Sequence, residues 1–94
     1  MACKEIDRFD FQIDYDESAD VLYASIGKPK KAISKEFHSG DFIRLDPFTN
    51  TIVGITILDF KDRYDPNYHK KDNTTAIKII KQILNEFSVD CSYQ

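Results

Sequence analysis

The chain has 94 residues, 41% of them hydrophobic and 31% charged, with three glycines and three prolines, the composition of one ordinary globular domain rather than a disordered or collagen-like segment. At this length folding hides roughly two-thirds of the surface that the unfolded chain exposes, so the core is modest. A net charge of −3 and a pI near 5.2 argue against binding a nucleic-acid backbone over the whole surface.

The amino terminus, MACKEIDRFD, carries no apolar run, and the longest apolar stretch, Ile52 to Leu58, is far short of the ~20 residues of a membrane-spanning helix. A cytoplasmic location is the expectation, with Cys3 and Cys91 kept as thiols.

In FDFQIDYD, Phe9, Phe11, Ile13 and Tyr15 alternate with polar residues, which places every apolar side chain on one face of a first, half-buried strand. Glu17 to Asp20 follow Asp16, whose carboxylate can accept a backbone N–H two residues on and close a turn. The second strand, VLYASIG, is apolar on both faces and belongs inside a sheet. Gly27 to Lys31 ends it, because Pro29 cannot donate to a ladder and lysines prefer water.

AISKEFH alternates again, with Ile33 and Phe37 against Ser34, Glu36 and His38, and after a turn at Ser39 and Gly40 DFIRLD supplies a fourth strand. There Ile43 and Leu45 share a face while Phe42 and Arg44 look the other way. PFTN has a hairpin-loop length, with Asn50 at a position that tolerates the left-handed conformation. In the fifth strand, TIVGITILDF, Gly54 marks either a bulge or the close approach of a ring, for which Tyr23 is the candidate.

Residues 61 to 73 are polar and read as a connecting loop. A helix over residues ~74–87 or 88 starts near Asp72 to Thr74, and Ala76, Ile77, Ile79, Ile80, Ile83, Leu84 and Phe87 fill about half of its circumference. The fold class is thus α+β in a single domain over residues 1–94: a five-stranded antiparallel sheet or half-open barrel over residues 9–60, then one C-terminal amphipathic helix packed on it. In a meander taken in chain order the doubly apolar fifth strand would be an exposed edge. A homodimer through the sheet is therefore expected, with closure of the fifth strand onto the first as the intramolecular alternative.

Candidate chemistry is sparse. Asp14, Asp16, Glu17 and Asp20 fail as a calcium loop, since the sixth position is Ala19 and the twelfth Ser25, and they read as a solvated turn. His38 and His69 lack partners at ligand spacing, Cys3 and Cys91 have no neighbouring base, and the isolated glycines form no phosphate loop. No catalytic, cofactor-binding or metal residue is assigned, and no cofactor is expected. Lys28, Lys30, Lys31 and Lys35 cluster at the start of the third strand and could meet an acidic partner or a nucleic acid, but such a run is more often a solvated loop that guards a sheet edge, and no aromatic residues interleave with it.

The segment IDYDESADVLYASI, then SGDFIRLD and IVGITILDF, resembles the small prokaryotic family known as domain of unknown function 2283. Tyr15-Asp16, Ala19-Asp20, Leu22-Tyr23 and Val53-Gly54-Ile55 carry the likeness, in order, over Ile13 to Phe60; where the family tends to have Gly in the last hairpin, this chain has Asn50. The resemblance implies a compact β-rich domain with no established activity and, through frequent gene neighbours, an antitoxin-like role beside a small toxin-like protein. A non-enzymatic protein-binding module is the expected function. The alternative is a small-molecule binder or enzyme with a pocket between sheet and helix, using Tyr15, Tyr23 or the acidic turn.

Overall fold

The computed structural model describes residues 11–27, 31–69 and 72–91, with side chains as far as Phe87. Phe9, Cys3, Lys28, Lys30 and the Cys91 side chain, all named above, lie outside the described residues. The elements are β1 (Phe11–Asp16), β2 (Val21–Ile26), β3 (Ile33–His38), β4 (Asp41–Leu45), β5 (Ile52–Leu58), α1 (Phe60–Arg63) and α2 (Thr74–Cys91). The strands form one antiparallel sheet in the order β1-β2-β5-β4-β3.

This order removes the exposed edge that a simple meander would create. The last strand in sequence is the central one, flanked by β2 and β4, which accounts for its apolar residues on both faces. The sheet stays open, with β1 and β3 at its edges, so of the two forms expected it takes the antiparallel sheet, and the fifth strand does not close onto the first. The need for a dimer or for closure to cover β5 disappears with it.

Local chemistry sets the turns. Asp16 Oδ1 accepts the Ser18 N–H at 3.0 Å and the Ala19 N–H at 3.3 Å, the predicted closure of the β1–β2 turn. Asp46 Oδ1 accepts the Phe48 and Thr49 N–H groups at 2.8 and 3.1 Å, and Asn50 takes the left-handed conformation at φ 60°. At Gly54 the ladder is bulged, with Arg44 opposite Gly54 but Leu45 opposite Ile52. A Cβ on Gly54 would lie 2.7 Å from the Ala24 carbonyl oxygen, so the close neighbour is backbone; Tyr23 sits opposite Thr56 instead.

Cross-strand register builds the core in rows. Tyr15, Leu22, Ile57 and Asp41 stand side by side across four strands, and Ile13, Ala24, Ile55 and Ile43 form the next row. Ala76, Ile80, Ile83 and Leu84 of α2, with Phe60 and Tyr68, close over these rows into one hydrophobic cluster. Two local readings change. The polar stretch 61–73 begins with the helical turn α1, and a bulge between Glu36 and His38 breaks the alternation of β3. Phe37 consequently packs edge-on against Phe87 at 5.4 Å, while Ile33 remains 59% exposed.

Candidate functional site

Asp41 opens β4 two residues before Ile43 and four before Leu45, so strand parity turns its side chain into the core. It is fully buried, and a buried carboxylate must be satisfied by hydrogen bonds or charge. Arg63 Nη1 donates to Oδ1 at 3.0 Å and the Tyr64 hydroxyl to Oδ2 at 2.6 Å. His38 Nδ1 lies 3.2 Å from the same Oδ2, and His38 Nε2 lies 3.1 Å from Glu86 Oε1 on α2. Burial and the bond to Asp41 push the Tyr64 hydroxyl up to about 12. Burial works to lower Arg63, but the hydrogen bond and charge of Asp41 outweigh it and the guanidinium is raised.

Arg63 is locked from several sides. Its Nη1 also donates to the Leu58 carbonyl at 2.9 Å, its guanidinium carbon stands 4.8 Å from the centre of the Tyr64 ring, and Nη1 would be 2.6 Å from a Cβ on Gly40. Gly40, at φ 90°, therefore answers two demands, a left-handed turn and room for the guanidinium.

A second, half-buried node lies at the same end of the sheet. Asp20 Oδ1 accepts the Tyr15 hydroxyl at 2.7 Å and the Lys61 N–H at 2.9 Å, and Oδ2 accepts the Asp62 N–H at 3.3 Å. Asp59, left-handed at φ 53°, caps α1 with no side-chain bond, so the carboxylate of Asp20 does the capping from the distant β1–β2 turn. Burial would raise Asp20, but these N–H and O–H donors outweigh it and hold the carboxyl below its usual range. Burial, then Asp20, pushes Tyr15 up to about 12.

Of the acidic turn residues, Asp14, Asp16 and Glu17 face solvent as predicted, whereas Asp20 turns inward and is structural. His38, assigned to the outer face with Ser34 and Glu36, is carried by the β3 bulge to Asp41 and Glu86. An imidazole oriented by a buried carboxylate is half of an acid–base relay, yet its second nitrogen faces Glu86, and no described Ser, Thr or Cys is hydrogen-bonded to it. Among the described residues no group of three or more His, Cys, Asp or Glu could hold a metal ion. The network is built to hold α1, β4 and α2 together.

Tyr15 and Tyr23 do not converge on a pocket. Tyr15 lies on the α2 face, and Tyr23 points from the other face, 41% exposed. Between sheet and helix, Leu22, Ile43, Ile55, Ile57, Ile80 and Leu84 are at most 1% exposed and fill the space. A shallow depression of about 450 Å³ lies on the outer side of α2, lined by Lys78, Lys81, Gln82, Asn85 and Glu86.

The face of the sheet away from α2 has a different character. One cross-strand row there runs Asp14, Tyr23, Thr56, Phe42, Glu36, an apolar and aromatic centre between two acids. Leu58, 37% exposed, stands beside it. No family model, no curated protein and no solved structure matches this chain. Among the described residues no helix is long and apolar enough to cross a membrane.

Proposed function

We propose that the chain is a non-enzymatic, cytoplasmic protein-binding module whose interface is the sheet face away from α2. The observation that carries this reading is the row Asp14–Tyr23–Thr56–Phe42–Glu36, with Leu58 alongside. Aromatic residues at the centre and charges at the rim are the anatomy of a protein interface, and an exposed tyrosine is a frequent anchor. The carboxylates of Asp20 and Asp41 support the same conclusion, since both are engaged in holding α1. The resemblance to family 2283 makes a small toxin-like protein the first partner to test.

The test is affinity purification from the native host with wild type and Tyr23→Glu as baits. Recovery of a complex from wild type and its loss with Tyr23→Glu, while Lys78→Glu on α2 retains it, is the expected result. Equal recovery by the Tyr23 variant, or no complex at all, overturns the reading. A second copy of the chain is the alternative occupant of this face. Light scattering identifies it, because a mass that stays at 10.9 kDa up to high micromolar concentration excludes the homodimer.

A further inference from the structure

The two edges of the sheet are unlike. Along β1 the pattern alternates, with Phe11 and Ile13 half-buried, Tyr15 buried, and Gln12, Asp14 and Asp16 exposed. Along β3 four consecutive residues, Ile33, Ser34, Lys35 and Glu36, are exposed on both faces of an edge strand. Helix α2 reaches β3 at its far end, where Phe87 packs on Phe37 and Glu86 meets His38. Among the described residues nothing pairs with the near end of this edge, where Ile33 is 59% exposed.

Topology brings a second apolar side chain to that end. Ile33 stands opposite Leu45, so continuing the antiparallel register places Lys31 beside the start of the β4–β5 loop at Pro47. The next residue, Phe48, is 94% exposed. Its loop is nevertheless fixed: Asp46 Oδ1 takes the Phe48 and Thr49 N–H groups, the Asp46 carbonyl takes the Asn50 N–H at 2.8 Å, and the Thr49 and Thr51 hydroxyls meet at 2.8 Å. A phenyl ring held out on an ordered backbone has less conformational freedom to lose on binding. The exposed cations here are Lys31 and Lys35.

We propose that the free edge of β3 takes up an extended acidic segment of a partner protein as an added strand, its carboxylates meeting Lys31 and Lys35 and its apolar residues meeting Ile33 and Phe48. Strand addition uses the backbone groups that an edge leaves unpaired, and side chains at alternate positions supply the selectivity. Guarding against aggregation explains a lysine on an edge, but a guarded edge does not also present an isoleucine beside it. A second copy is a poor occupant. Whenever Ile33 meets an apolar residue of a two-fold-related β3, Ile33 or Phe37, Lys35 falls opposite Lys31 or Lys35. A run of phosphates is disfavoured by Glu36 within the strand and by the net charge of −3.

This edge shares only Glu36 with the face around Tyr23, and its test is separate. The probe is a short fluorescent peptide repeating Glu-Ser-Val-Ser, which sets Glu and Val in turn along one face of an added strand, followed by anisotropy at low salt. Expected are saturable binding, a loss of about tenfold or more in the double variant Lys31→Glu/Lys35→Glu, a smaller loss with Phe48→Ser, and unchanged affinity with Tyr23→Glu. A peptide N-methylated at alternate nitrogens should not bind, since it cannot pair as a strand, and the Lys-for-Glu peptide should not either. The proposal is overturned if the acidic peptide fails to bind, if the N-methylated peptide binds equally, if the lysine double variant keeps full affinity, or if oligothymidylate binds more tightly than the peptide.

Discussion

Asp20 and Asp41 grip the same helical turn from two sides, and they are satisfied by different kinds of donor. Asp20 receives two backbone N–H groups of α1 and one phenol, so its partners are fixed by the fold itself. Asp41 receives only side chains, a guanidinium and a phenol from the end of α1 and an imidazole from β3. The difference teaches where the fold is brittle. Removing an acid that caps a helix leaves donors at an exposed helix end that water can reach, whereas removing the fully buried Asp41 opens a cavity beside the core and takes away the shared partner of three side chains.

The largest effect is therefore expected from Asp41→Ala, a loss of about 3 kcal/mol from three hydrogen bonds and a cavity, read from the urea midpoint. High pH probes both nodes at once. Tyr15 and Tyr64 are pushed from 10.0 up to about 12, so the folded state holds these two protons more tightly than the unfolded chain does. Their contribution is complete below pH 10.0 and is lost as the pH rises through about 12. Denaturant titrations across that window should show stability falling, with a shallower fall in Tyr15→Phe; parallel curves would separate Tyr15 from the effect.

Asp20→Ala should cost less than Asp41→Ala, about 2 kcal/mol. The Asp20 carboxyl is held low in the folded state, so its contribution is present above the ordinary carboxylate value of 3.8 and disappears as the pH falls below it. The variant should accordingly flatten the acid limb of the stability curve, and an equal loss from the two aspartate variants would break the comparison. Smallest is Glu86→Gln, within about 1 kcal/mol, because both His38 and Glu86 reach solvent and exposed ion pairs are weak. A loss as large as that of Asp41→Ala would make His38 a structural strut rather than an accessory.

The strands were legible because alternation in FQIDYD and the two-sided apolar pattern of VLYASI and IVGITIL survive folding unchanged. Strand order was not, since sequence patterns say that β5 is central without saying which strands flank it. Asp41 carried a readable signal: it shares parity with Ile43 and Leu45, and an acid on the core side of a strand announces a buried partner. Arg63 and Tyr64 could not be paired with it, because that contact depends on how β5 and α1 return to the sheet. His38 was misplaced for a local reason, a bulge that shifts the parity of β3 by one residue.

The insertion of the last strand between two earlier ones has a consequence for biosynthesis. Emerging from the ribosome, β1–β2 and β3–β4 are separate ribbons, and the inner edges of β2 and β4 find their shared neighbour only when Ile52–Leu58 appears. At ~5–20 residues per second, β2 waits a second or more with an apolar edge unpaired. The nascent chain is thus most exposed to misassociation in the interval before residue 58 is free, and a stalled chain ending in the Pro47–Asn50 turn has two ribbons and no sheet.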